Sequence, residues 1–175
     1  MKQNIKHIVD HALCTACGAC AALCPTHAIG MAQNAAGYLC AVIDDHQCQN
    51  CGICDHVCPS NGREKLPMVK GSDIFHGKCL EGYMGYAADE NIRQESQSGG
   101  VVTALLCYLL EKNIIGGAVV NQFDGETRRP KAVFATSGEE IITGCGSYYA
   151  QSPVIETALR HAQQKDTAAV VLGCQ

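Results

Sequence analysis

CTACGACAALCP at residues 14–25 and CQNCGICDHVCP at residues 48–59 decide how this chain is read. Both follow C-x2-C-x2-C-x3-C-P, and every cysteine of the first copy has its counterpart 34 residues later. A glycine follows the second cysteine each time, Gly18 and Gly52. A double match at one period marks a duplicated, pseudo-symmetric unit. The spacing suits an iron–sulfur cubane, whose compact anionic core needs four thiolates in a tetrahedral array. Three cysteines two residues apart let one loop wrap three corners, and the glycine permits close backbone approach and unusual dihedrals. The proline after the fourth cysteine keeps it extended and stops the loop closing into a helix. Structural zinc takes C-x2-C pairs that lie well apart, whereas here four cysteines crowd into eleven residues, twice. A zinc-binding interaction module stays as the minor alternative. The ligand sets being complete, His11, His27, His46 and His56 read as surface or supporting groups. Cys40, inside YLCAVI, reads as a small buried hydrophobe.

Composition sets the bounds around these motifs. The chain has 175 residues, 13 of them cysteine, with 47% hydrophobic and 17% charged residues. That composition excludes a disordered chain, and 18 Gly with 5 Pro show no collagen-like or low-complexity period. An odd cysteine count and an N-terminus without an apolar signal core argue against a secreted disulfide scaffold. No stretch approaches the roughly 18 apolar residues of a membrane span. The net charge of −4, with neither sign gathered into a run, argues against nucleic-acid binding. The remaining expectation is a cytoplasmic protein whose thiols hold metal or do redox chemistry.

Residues from about 8 to 66 resemble a bacterial-type ferredoxin at every ligand position. The resemblance implies an α+β module around two 4Fe-4S clusters, with strands over Ala28–Met31 and Leu39–Ile43 and short helices over Gly18–Leu23 and Gly52–Val57. In two-cluster ferredoxins of this pattern the fourth cysteine ligates the other cluster. This places Cys14, Cys17, Cys20 and Cys58 on one cluster and Cys48, Cys51, Cys54 and Cys24 on the other.

The pattern then changes. A loop-like linker over 67–82 leads to expected strands at Tyr83–Ala88, Gly116–Asn121, Lys131–Thr136 and Ala168–Leu172. The segment Asp89–Gln97 reads as a polar connection. Val101 to about Lys112, VVTALLCYLLEK, reads as a helix apolar around most of its girth and so largely buried. A second helix is expected from Pro153 to about Gln164, capped by Ser152. Strand–helix–strand alternation predicts α/β layers about a central sheet, here a partial domain over 83–175. There is no G-x-G-x-x-G. Ser98-Gly99-Gly100 before a helix presents N–H donors and the positive end of a dipole, suited to a cofactor phosphate; the plainer reading is a helix start packed tightly on a sheet.

SQSGGVVTALLCYLLEKNIIGGAVV at 96–120, TGCGSYY at 143–149 and VVLGCQ at 170–175 resemble the family of coenzyme F420 hydrogenase/dehydrogenase beta subunits. The family implies a flavin-containing electron-transfer component of an oxidoreductase, binding FAD beside iron–sulfur clusters and exchanging hydride with a substrate such as a deazaflavin. Carried over by position, Ser98, Gly99 and Gly100 lie at the flavin phosphates, and Gly146, Ser147 and Tyr149 near the flavin pocket. Tyr148 replaces the family's lysine and Gly173 its proline, which weakens recognition of the deazaflavin itself. Cys107 reads as core. Cys145 and Cys174 read as packed thiols or as groups touching a flavin or further cluster, and Cys79 has no role in the pattern. Family members run about as long again, so the second domain reads as truncated, with an uncovered sheet face that calls for a redox partner protein, the rest of the oxidoreductase, or an oligomer. The alternative is a ferredoxin-type carrier whose second domain only docks on a partner and binds no flavin.

Overall fold

A computed structural model describes residues 4–62, 79–162 and 166–171. Most of the expected linker, 67–78, falls outside the described residues, as do Gly173, Cys174 and the ends of the expected last helix and last strand.

The N-terminal part contains α1 (Lys6–Asp10), α2 (Ala19–Ala22), β1 (Ile29–Gln33), β2 (Leu39–Ile43) and α3 (Ile53–Val57). β1 and β2 form an antiparallel hairpin in which Ile29 pairs with Ile43 and Gln33 with Leu39. Its turn is held by Asn34 Oδ1, which accepts from the amides of Ala36 and Tyr38, and by Gly37 at φ 82°. Ile5, Ile8, Ala21, Ile29 and Ala41 make a core with the thiols of Cys20 and Cys54. Cys40 is buried, as expected.

The second part contains α4 (Glu90–Glu95), α5 (Val101–Glu111), β3 (Gly117–Asp124), β4 (Arg129–Ala135), α6 (Gly138–Ile142), α7 (Val154–Ala162) and β5 (Thr167–Ala169). Its sheet has the order β4-β3-β5, antiparallel between β3 and β4 and parallel between β3 and β5. Ala118 and Ala135 of the hairpin pack with Leu106 and Cys107 of α5, Ile141 of α6, Ile92 of α4 and Ala87. α7 touches all three strands, and Phe134 of β4 stacks on His161 with centroids 4.2 Å apart. Among the described residues no helix is long and apolar enough to cross a membrane.

Three expectations are corrected. Tyr83–Ala88 forms no strand among the described residues; only Ala87 is buried, its amide donating to the Gly99 carbonyl at 2.6 Å. The polar connection after it is helix α4, started by Asp89, whose Oδ1 accepts from the Ile92 amide at 3.0 Å. α5 forms as expected but is not largely buried: Leu106 and Cys107 are covered, while Val101, Val102, Leu105 and Tyr108 are more than half exposed. Among the described residues the sheet, α6 and Ile92 of α4 cover one side of it, and the apolar residues on the other side stay about half exposed.

Candidate functional site

The duplicated cysteine motif is also duplicated in backbone conformation. Gly18 and Gly52, at φ 78° and 84°, are the N-caps of α2 and α3, and the residues two before them, Ala16 and Asn50, lie at φ 59° and 50°. Left-handed backbone at two positions curls each loop around its cysteines, and glycine takes one of these positions without a Cβ penalty. The fourth cysteine of the second copy then reaches the first. Burial pushes the Cys20 thiol up to about 12, and the adjacent thiols of Cys17, Cys14 and Cys58 add to the rise. Cys58 is likewise raised, first by burial, with Cys17 and Cys14 contributing. Cys14, Cys17, Cys20 and Cys58 therefore gather in one place. Cys54 is raised by burial, with Cys48 and Cys51 beside it. Cys24 is lowered overall: burial raises it, but Thr26 at 3.6 Å and the amides of Thr26, Ala28 and Ile29 outweigh that.

Burial and the neighbouring thiols hold Cys20 and Cys58 in the neutral form. A cationic iron core relieves the repulsion and takes the place of the protons, so this donor set fits a cluster. Among the described residues no three His, Cys, Asp or Glu side chains converge on a single metal-ion position. Cubane ligands do not need to, because each thiolate binds its own iron.

A cleft of about 980 Å³ lies between the two parts. One wall is the loop 12–15, which carries Cys14. The rest of the lining includes the whole segment 144–152, with Val102, Thr103 and Leu106 of α5 and Val119–Asn121 of β3. Gly146, Ser147 and Tyr149 line this cleft, and so does Tyr148. Ser98, Gly99 and Gly100 do not. A Cβ on Gly99 would stand 2.7 Å from the Gly85 carbonyl, and one on Gly100 2.9 Å from Ser96 Oγ, so packing accounts for both glycines. The two segments still meet: Ser147 N donates to Gln97 Oε1 at 3.0 Å, and Cys145 Sγ lies 3.3 Å from Thr103 Oγ1 and 3.6 Å from Ser96 Oγ. Cys107 is core, as expected.

The sequence reading missed two cleft residues. Ser152, read as a helix cap, has no hydrogen-bond partner for its Oγ among the described residues. The Cys17 carbonyl reaches the first turn of α7 instead, accepting from the Glu156 amide at 3.0 Å. Asn121 was read only as a strand end, yet its Oδ1 is buried and unpartnered. A polar side chain at the inner end of an apolar strand was the available signal for it.

Residues 13–61 match the 4Fe-4S dicluster domain, and residues 82–158 match the N-terminal part of the coenzyme F420 hydrogenase/dehydrogenase beta subunit. One of the subunits of the F420H2 dehydrogenase of Methanosarcina mazei is 29% identical over 181 residues, covering 100% of this chain and 50% of that protein. The coenzyme F420-dependent sulfite reductase of Methanocaldococcus jannaschii is 32% identical over 175 residues, covering 98% of this chain and 25% of that protein. The beta subunit of the coenzyme F420 hydrogenase of Methanothermobacter thermautotrophicus is 33% identical over 92 residues, covering 51% of this chain and 33% of that protein. The chain spans half or less of the length of these relatives. Over the two matched segments it is an iron–sulfur protein belonging to the family of coenzyme F420 hydrogenase/dehydrogenase beta subunits, with a 4Fe-4S dicluster domain ahead of that family's N-terminal domain.

Proposed function

We propose that this chain relays electrons between two 4Fe-4S clusters and a flavin held in the cleft, as part of an F420-type oxidoreductase. Residues 1–66 act as a two-cluster module and 83–175 as part of a flavin-binding domain, joined by 67–82. Cys14, Cys17, Cys20 and Cys58 hold one cluster, and Cys48, Cys51, Cys54 and Cys24 the other. When bound, the clusters pass single electrons and the flavin, proposed as FAD, pools two of them for hydride exchange. The relatives' names point to a deazaflavin coenzyme as the outer hydride partner. The other subunits of such an oxidoreductase, or a separate redox protein, supply or accept the single electrons.

The observation that carries this reading is the wall shared by the two sites. Leu13, Cys14 and Thr15 belong to the first cysteine loop and also line the cleft. A planar cofactor there lies beside a cluster ligand, against the apolar side chains of Leu106, Val119 and Val154. Gly146, Ser147 and Tyr149 contact it from the other side. The Ser98–Gly100 turn acts through the start of α5, whose Val102 and Thr103 reach the cleft.

The placement of Ser98, Gly99 and Gly100 off the cleft favours a second reading, in which the second part docks a ferredoxin-type carrier on its partner without binding flavin. Anaerobic quantification of iron, sulfide and flavin on one sample separates the two. About 8 iron, about 8 sulfide and bound flavin per chain support the first. The same iron with no flavin, even after reconstitution, leaves the carrier. A colourless zinc protein refutes both.

A further inference from the structure

The two cysteine copies differ in what their neighbours offer the sulfurs. Asn4 stands before α1, outside both motifs. Its Oδ1 accepts from the Lys6 amide at 3.0 Å, which turns its Nδ2 end toward the second loop. There Nδ2 donates to Asn50 Oδ1 at 3.2 Å and to Cys48 Sγ at 3.7 Å. Asn50 Oδ1, 3.8 Å from the same sulfur, takes one Asn4 hydrogen and leaves the other for Cys48. The first copy has Ala16 in place of Asn50 and so nothing to steer an amide toward Cys14. The hydroxyls after the fourth cysteines diverge in the same way. Thr26 Oγ1 lies 3.6 Å from Cys24 Sγ, and once that sulfur is a thiolate only the hydroxyl can donate. Its counterpart, Ser60, turns away and donates to the Leu13 carbonyl at 2.7 Å. Backbone amides serve both copies, those of Thr26, Ala28 and Ile29 at Cys24 and those of Ser60 and Asn61 at Cys58. Among the described residues, side-chain donors reach only Cys48 and Cys24 of the motif cysteines.

An electron added to a 4Fe-4S cluster puts negative charge on its sulfurs. A donor held against a sulfur therefore favours the reduced form and raises the potential. We propose that Asn4 and Thr26 set the order in which the two clusters fill: both donate to the cluster of Cys24, Cys48, Cys51 and Cys54 and make it the one of higher potential. This rests on the reading that Cys24 joins the second loop on one cluster. Solvent acts in the same direction, since Cys17 and Cys20 of the other set are buried and only Cys54 of this one is. Asp55, next to Cys54, works the other way, and His7 Nε2 stands 3.6 Å from its carboxylate. A carboxylate paired off the cluster counts for less than two donors bonded to its sulfurs. One electron from a low-potential reductant then rests on this cluster, with no bond or proton moving. The cluster of Cys14, whose loop lines the cleft, stays the stronger reductant.

The test is an anaerobic redox titration of the full chain with clusters reconstituted, using titanium(III) citrate as reductant. Electron paramagnetic resonance counts the reduced clusters, and iron is measured on the same samples. Wild type should show two one-electron steps, and the step that survives Cys58→Ser should be the upper one. Asn4→Ala and Thr26→Val should each disfavour reduction at the upper step about 3–10-fold, a fall of about 30–60 mV, and leave the lower step and the iron content unchanged. The double variant should fall by about the sum. Thr26→Ser, which keeps the hydroxyl, should stay within about twofold of wild type, and so should Ser60→Ala, whose hydroxyl bonds elsewhere. If wild type holds about 8 iron and its clusters fill in a single step, or if the surviving step is the lower one, the proposed order falls and the two-cluster relay stands. Unchanged steps in both Asn4→Ala and Thr26→Val overturn it as well. Iron loss in both makes the two side chains structural and also overturns it. If wild type binds only about 4 iron and shows one step, the relay reading itself falls first.

Discussion

Gly18→Ala tests how the cysteine loop and the cleft are joined. Gly18 sits between two proposed cluster ligands, yet its tightest neighbours belong to the other half of the chain. A Cβ there would stand 2.5 Å from Glu156 Cβ and 3.1 Å from Pro153 Cβ. Its φ of 78° adds the left-handed penalty of about 1–2 kcal/mol for any residue with a Cβ. Relieving the overlap must push the start of α7 off the loop, an overpacking cost of about 1–3 kcal/mol. The Glu156 amide bond to the Cys17 carbonyl stretches with it. The expected destabilisation is therefore about 2–5 kcal/mol. Gly37→Ala is the control. Gly37 has nearly the same φ, 82°, but a Cβ there meets only Arg129 Nη2 at 3.9 Å, so it should cost only about 1–2 kcal/mol. Anaerobic urea titrations of wild type and both variants, read by far-ultraviolet circular dichroism, give the comparison. Equal destabilisation by the two substitutions would refute the claim that α7 is seated on the loop at Gly18.

Cys58→Ser should cost the cluster of Cys14, Cys17 and Cys20, and Cys24→Ser the cluster of Cys48, Cys51 and Cys54. Each variant should drop iron from about 8 to about 4 per chain, and pairing each with Cys14→Ser shows whether the losses coincide or add. Coinciding losses for Cys24→Ser with Cys14→Ser, in place of Cys58→Ser with Cys14→Ser, would mean that each motif serves its own cluster. In the iron-free chain, Cys20 has a folded-state pKa near 12 against an ordinary 9.0, so the stability tied to its neutral thiol is full below about pH 9 and is lost as pH rises toward 12. Melting curves across that window should fall more steeply for wild type than for Cys20→Ser; parallel curves would contradict it. Ser137→Ala removes the side-chain acceptor of the Glu140 amide in the α6 capping box and should cost about 1 kcal/mol by urea titration. The Glu140 carboxyl is held below the ordinary range, first by the Thr136 amide at 2.7 Å. Its contribution is present above the unfolded carboxylate range and is lost as pH falls through the lower folded value, so Glu140→Gln should flatten the acid side of the stability profile.

The elements that were legible in the sequence carry their own local code. The two cysteine loops repeat at one period, and the backbone repeats with them at Ala16 and Asn50 and at Gly18 and Gly52. Strands β1, β2, β3 and β4 follow short apolar runs close to where they were expected. The misses have physical causes. α4, ENIRQE, is polar around nearly its whole girth and has no apolar period to read; its signal was Asp89 three residues before Ile92. α6 was announced by Ser137 and Glu140, a serine with a glutamate three residues on, and the box forms in full. Tyr83–Tyr86 has strand-like composition but no strand beside it among the described residues, and composition cannot supply a pairing partner. The exposure of one side of α5 follows the same logic: periodicity tells which positions are apolar, and only the tertiary neighbours decide which are covered. The cleft was half legible. Gly146, Ser147 and Tyr149 came from a motif, whereas Asn121 and Ser152 stand out only because nothing bonds to them in the folded chain.

The way α7 begins links these observations. Helices usually take a first-turn acceptor from a side chain just before them, and Ser152 was in place to provide one. Here the acceptor is a main-chain carbonyl of the cysteine loop, Cys17 O, from the far side of the sequence. That exchange does two things at once. It makes the start of α7 depend on the loop being curled around its thiols, and it leaves the Ser152 hydroxyl buried without a hydrogen-bond partner among the described residues. The far end of α7 is held to the sheet through His161 on Phe134, so the helix bridges the loop and β4 as a stiff strut. Electron exchange between a cluster and a neighbouring cofactor depends steeply on their separation. In the proposed relay, a strut that takes a first-turn acceptor from the cysteine loop and lines the cleft with Val154 sets that separation with a few residues, Gly18 among them because no side chain fits beneath Glu156. The small residue in the cysteine motif therefore serves two constraints: the left-handed turn that wraps the thiols, and the seat for the helix that closes the cleft.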